Sequence, residues 1–205
     1  MGNFSILNNL LMSNCNFACE QSQDIDSRLS EFFLSMKAFT NLKKLHLADN
    51  LLFLDKEREL QNYIKSDRHL KELDLRDSKI GDNAAIGIFK GLQRNTALKV
   101  LNISGCNLTD VAGLSLCEYF FYEEAQQTKL TRFQRHQSLK ELDVSFNSFT
   151  DETGIPLAYN LHDNKSLQSL NLKGNDLMEA AGTAFVKILE FNNCLALLNL
   201  DCNQV

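Results

Sequence analysis

An 11-residue phrase recurs seven times along this chain, and its spacing restricts the possible folds more than any other feature. The phrase places Leu, or occasionally another apolar residue, at places 1, 4 and 6, Asn or Cys at place 9 and an apolar residue at place 11. Its clearest copies are Leu42-Lys-Lys-Leu45-His-Leu47-Ala-Asp-Asn50-Leu-Leu52, Leu139-Lys-Glu-Leu142-Asp-Val144-Ser-Phe-Asn147-Ser-Phe149 and Leu167-Gln-Ser-Leu170-Asn-Leu172-Lys-Gly-Asn175-Asp-Leu177. Others run from Leu70 to Ile80, Leu98 to Leu108 and Leu195 to Val205, and one opens the chain from Leu7 to Phe17. Copies begin at residues 7, 42, 70, 98, 139, 167 and 195, so four of the six intervals are 28 residues. A recurrence at that period marks a repeat architecture.

Within each phrase, places 4 and 6 are apolar while 3, 5 and 7 are mostly polar, the alternation of a short strand with one buried face. Place 9 is held by Asn50, Asn147, Asn175 and Asn203, by Cys15 and Cys106, or by Ser78. Such side chains can bond backbone groups where each strand leaves the sheet and stack from repeat to repeat. After the phrase the spacing becomes helical. Asp82, Asp110, Asp151 and Glu179 share one place near a helix start, where an acidic group meets the positive end of the dipole. A small residue follows (Ala85, Gly113, Gly154 or Gly182), predicting a close approach of helix and strand; apolar residues such as Ile88, Phe89 and Leu92, or Phe185, Ile188 and Leu189, then form the buried face. Each repeat reads as strand, turn, helix, too small to bury a core until neighbours stack on it.

These phrases resemble the leucine-rich repeat family, and specifically the 28-residue class typified by ribonuclease inhibitor. The resemblance covers residues 7 to 205 and implies an α/β fold: a right-handed solenoid, a horseshoe arc with about seven parallel strands on its concave face and helices on its convex face. It implies one domain over 1–205. The class is poorly specific for function, since it includes an RNase inhibitor, Ran GTPase-activating proteins, actin regulators, innate receptors and axonemal components. Leu54-Asp55-Lys56-Glu57 departs from the acidic-then-small pattern, predicting a late helix start, and Pro156 places the start of its helix near Ile155. Two segments break the metre: seven extra residues between Phe17 and Leu42, and a thirteen-residue insert, 123–135, that should protrude from a rim and be dispensable for folding.

With 21 Lys and Arg against 26 Asp and Glu, the net charge of −5 argues against nucleic acid or an anionic membrane as partner. No apolar run reaches the roughly 18 residues of a membrane span, and no positive charge precedes the Leu7–Met12 stretch as a secretion signal would need. Six cysteines without CxxC spacing or dense clustering fit free thiols in a reducing compartment, so the expected location is cytoplasmic. No phosphate-loop, HExxH or GxSxG motif occurs and the four histidines are scattered, so no catalytic residue, metal site or cofactor is expected.

Places 3, 5, 7 and 8 are those whose side chains the repeat leaves free on the concave face. The expected partner-binding residues are Lys44, His46, Glu72, Asp74, Arg76, Asn102, Glu141, Asp143, Phe146 and Lys173: an acidic centre, flanking bases and an exposed aromatic at the edge. Aromatic and Arg anchors rimmed by charge suit a protein-binding hot spot. The leading expectation is therefore a non-enzymatic module that binds a protein through its concave face and rim. Alternatives are a regulator of a small GTPase, with Arg76 or Arg135 assisting hydrolysis, and a structural component of a large assembly such as an axoneme. The strongly apolar last strand, Leu195-Ala-Leu-Leu198-Asn-Leu200, is expected to be covered by a partner or by further repeats.

Overall fold

The structure, a computed structural model, describes residues 6–15, 25–52, 58–120 and 138–205. Among these residues seven three-residue strands form one sheet in chain order, every neighbouring pair parallel: β1 (Asn9–Leu11), β2 (Lys44–His46), β3 (Glu72–Asp74), β4 (Val100–Asn102), β5 (Glu141–Asp143), β6 (Ser169–Asn171) and β7 (Leu197–Asn199). Among the described residues six α-helices alternate with them: α1 (Ile25–Ser35), α2 (Arg58–Ser66), α3 (Gly81–Leu92), α4 (Asp110–Phe120), α5 (Asp151–Leu161) and α6 (Glu179–Leu189). This is an α/β solenoid. Residues 53–57 and the 123–135 insert lie outside the described residues.

The register aligns equal places of successive phrases: Leu10, Leu45, Leu73, Leu101, Leu142, Leu170 and Leu198 are partners in one row across the sheet. Places 1, 4, 6 and 11 of the inner units are buried, as at Leu42, Leu45, Leu47 and Leu52, or Leu167, Leu170, Leu172 and Leu177. At the ends of the sheet the same places in Leu7, Leu10 and Met12, and in Leu195, Leu198 and Leu200, are only partly buried, because a unit there has a neighbour on one side.

Place 9 satisfies backbone that the short strands strand. Its side chain donates to the place-6 carbonyl of the preceding unit: Asn50 to Met12, Ser78 to Leu47, Cys106 to Leu75, Asn147 to Ile103, Asn175 to Val144 and Asn203 to Leu172. Place 9 also accepts: Ser78 Oγ takes the Asn50 N–H at 3.4 Å, and Asn147 Oδ1 takes two, the N–H groups of Cys106 at 3.1 Å and Leu108 at 3.0 Å. Cys106 keeps the donor half of this role as a thiol, its pKa pushed up to about 11 chiefly by burial.

A second ladder at the opposite edge was not anticipated. Asn95 Oδ1 accepts from the N–H of Ala97 and Leu98 while its amide donates to the Ile64 carbonyl at 2.6 Å, and Asn192 repeats this with Cys194, Leu195 and Leu161. Asp67 and Asn164 cap the same two N–H groups in their own units. Their signal was an Asn or Asp three residues before the place-1 leucine.

The helix starts differ from expectation in three ways. The aligned acids tie successive units together, beyond any dipole effect: Asp82 accepts from the backbone and hydroxyl of Thr109, Asp110 from those of Thr150, and Asp151 from the Met178 N–H. The small residues admit the next unit's turn and helix, with no strand involved; a Cβ on Gly154 would stand 2.8 Å from both Ala181 Cβ and Leu177 Cδ2. Finally, α5 starts at Asp151 with Thr150 as its cap, so Pro156 sits inside the helix and the expectation of a start near Ile155 was wrong. The carbonyl that loses its partner to Pro156 is that of Glu152 in the exposed first turn, where water can replace it.

Replacing Asn147 by Ala should cost about 2–4 kcal/mol, because buried donors and acceptors in two adjacent units lose their partners together. Urea unfolding of N147A beside the exposed-site control Ser148→Ala, expected within about 0.5 kcal/mol of the parent, checks this.

Candidate protein-binding face

The strand register brings the predicted face together. Lys44, Glu72, Val100, Glu141, Ser169 and Leu197 form the place-3 row, and His46, Asp74, Asn102, Asp143, Asn171 and Asn199 the place-5 row. Glu72 is the hub of the first half. Its carboxylate lies 2.6 Å from Lys44 Nζ and 2.7 Å from His46 Nε2. Partial burial alone would raise the Glu72 pKa, but the bonds and charges of Lys44 and His46 outweigh it and hold the carboxyl below its usual range. Arg76 Nε stands 3.5 Å from Asp74. Arg135 lies outside the described residues.

Place 5 is less free than its pattern suggested. Each Asp or Asn there accepts the N–H two residues on: Asp74 from Arg76, Asn102 from Ser104, Asp143 from Ser145, Asn171 from Lys173 and Asn199 from Asp201. The row is thus an Asx turn repeated at the ends of β3 to β7, and amide and carboxylate serve it equally. Asp143 also binds the Asn171 amide at 3.0 Å. One oxygen of Asp74 and of Asp143 thus makes the turn, while the second faces the Arg76 guanidinium at Asp74 and the Asn171 amide at Asp143.

Phe146 sits at the edge of this face, 58% exposed, with φ at 53°. All seven place-8 residues are left-handed: Asn14, Asp49, Asp77, Gly105, Phe146, Gly174 and Cys202. Asn, Asp and Gly tolerate that conformation, but a bulky aromatic there is an outlier that functional sites retain more often than structural ones. Its ring covers the next unit: a Cβ on Gly174 would lie 2.6 Å from Phe146 Cδ1. Lys173, half-buried beside it, accepts the Phe146 N–H at its carbonyl, and Glu141 is exposed.

One basic row went unnoticed in the sequence. Lys43, Lys71, Lys99 and Lys140 occupy place 2 of four consecutive units, just outside the place-3 row. Burial first, then the charges of Lys71 and Lys140, hold the Lys99 ammonium below its ordinary pKa. The signal available was one residue type repeating at one place.

Among the described residues no group of three or more His, Cys, Asp or Glu could hold a metal ion, and no helix is long and apolar enough to cross a membrane. A parallel sheet in chain order, side-chain ladders at both edges and a charged strand face together define a repeat solenoid. Four stretches, 66–89, 94–117, 135–158 and 163–182, match the leucine-rich repeat family model, and the chain is a leucine-rich repeat protein. It is 24% identical over 200 residues to the mouse centrosomal protein of 78 kDa and 26% identical over 178 residues to the human one, covering 90% and 80% of this chain. It is 28% identical over 166 residues to the mouse NACHT, LRR and PYD domains-containing protein 12. The chain spans about a quarter of the length of the centrosomal relatives and 14% of the latter protein. Among solved structures, the Caenorhabditis elegans tropomodulin C-terminal domain has the same fold, with a TM-score of 0.58 at 15% identity over 71% of this chain and 82% of that one.

Phe146→Asn should leave stability within about 1 kcal/mol of the parent, since relief of the left-handed strain offsets the lost ring contact. The buried Phe149→Ala should cost about 3–5 kcal/mol in the same urea titration.

Proposed function

We propose that the chain is a non-enzymatic protein-interaction module of the ribonuclease-inhibitor-like repeat class, one domain over 1–205, acting in the cytoplasm. Its partner binds the concave face between β2 and β6 and the adjoining rim. The observation that carries this reading is Phe146: a strained, exposed aromatic in the same unit as the exposed Glu141 and the half-buried Asp143. The likeness to centrosomal proteins favours a second reading, a structural component of a large assembly, in which the same face joins neighbouring components.

The variant D74N/D143N/F146N removes charge and ring while keeping every Asx turn, so it separates binding from folding. Tagged parent and variant, used to capture proteins from lysate for quantitative mass spectrometry, should differ by the loss of a specific set, with affinities reduced by several kcal/mol. Identical captured sets would move the site off the concave face.

At the β7 edge, Leu197 and Phe191 are 52% and 62% exposed and Leu195, Leu198 and Leu200 half-buried. We propose that a partner or further repeats cover this edge, and the isolated chain should then self-associate as concentration rises. Light scattering that shows a monomer throughout a series to high micromolar concentration would overturn it.

A further inference from the structure

Backbone bonds fix the place-2 lysines as a stack. The Lys71 N–H donates to the Lys43 carbonyl at 2.8 Å, Lys99 to Lys71 at 2.8 Å and Lys140 to Lys99 at 2.7 Å. Successive lysines are therefore one strand apart, about 4.8 Å per step and about 14 Å from first to last. Like charges held so close oppose folding. The solenoid does not demand them, because Gln168 and Ala196 fill the same place in the next two units with the same backbone bonds. Among the described residues none of the four forms an ion pair with an acid.

We propose that this lysine row is the docking track for an extended acidic segment of a protein partner, one that carries carboxylates at alternate residues. Alternate side chains of an extended peptide point the same way about every 6.7 Å, so three carboxylates at i, i+2 and i+4 span about 13.4 Å, the length of the row. On the concave side the row is bordered by Glu72, Asp74, Glu141 and Asp143. Those acids repel a polyanion charged at every residue, such as single-stranded nucleic acid, but meet only the neutral side of an alternating peptide. The loops that lead into Lys43 and Lys71 extend the positive charge. They line a cavity of about 290 Å³ with Lys37 and Arg68, two bases against the single Asp67 carboxylate, which accepts the N–H groups of His69 and Leu70.

The inference rests on the protein-binding reading and names the chemistry of the partner's segment. Its test is fluorescence anisotropy with a labelled twelve-residue peptide of alternating Glu and Ser at low ionic strength. The peptide should bind saturably, release as salt is raised, and bind K71Q/K99Q about tenfold more weakly. K71R/K99R should restore binding, and D74N/D143N/F146N should bind as well as the parent or better. A failed partner capture with intact peptide binding would therefore indict the concave face alone. No saturation, equal binding by K71Q/K99Q, or tighter binding of a single-stranded DNA of equal length would each overturn the acidic-segment proposal. Circular dichroism melts of the lysine variants guard against loss of fold, and the single substitution K71Q gives the reading if the pair unfolds.

Discussion

Everything in this solenoid depends on a backbone carbonyl, the one at place 6, which each three-residue strand carries beyond the reach of its own ladder. It is buried under the next unit, where an unmet acceptor costs on the order of 1–3 kcal/mol. The place-9 side chain of the following unit supplies a donor, unaided at Met12, Leu75 and Ile103 and together with the unit's own place-9 Asn at Leu47, Val144 and Leu172, and so the ladder joins each repeat to its neighbour. Asn also accepts N–H groups of the preceding turn at 2.8–3.1 Å, which suits it to the four places it holds, whereas the Ser78 hydroxyl accepts the Asn50 N–H at a longer 3.4 Å. The second ladder at the helix-to-strand edge, through Asn95 and Asn192, fixes the other end of the repeat by the same exchange. With both ends fixed, the strands stack in register and the surface residues fall into straight rows.

Those rows turn repetition into recognition. A side chain that recurs at one place becomes a line of like groups one strand spacing apart, so the face is written in columns. The place-5 column is partly consumed by the fold, since its oxygen ends β3 to β7, but the choice between Asp and Asn remains open to function. The place-8 column is constrained by its left-handed backbone, and a phenylalanine there departs from what the turn favours. Where a place is structurally permissive, as at place 2, four lysines in succession are a choice the fold did not impose.

The sequence was legible wherever a single repeat states its own requirement. The alternation at places 4 and 6 gave the strands, place 9 the ladder, and the period the parallel order. It was less legible where a requirement is shared between repeats. The acids at Asp82, Asp110 and Asp151 looked like helix-start charges until their partners, Thr109, Thr150 and Met178 in the following unit, came into view. Gly154 looked like a strand contact until the next turn and helix proved to occupy the space. Pro156 misled because a rule about isolated helices ignored the cap that starts α5 four residues earlier.

Sequence by itself determined the solenoid, its strand order and the residues that share each row, because these follow from which places are apolar and how often they return. Only the tertiary structure decided which of the row residues are free to bind. Asp74 and Asp143 prove to be tied through both oxygens, Glu72 to be paired with Lys44 and His46, Phe146 to be strained yet exposed, and the four lysines to be stacked without acidic partners among the described residues. The physical reason is that a hydrogen bond or a like-charge contact between units is a matter of distance across the sheet, and residues 28 or 41 positions apart acquire that distance only when the repeats close on one another.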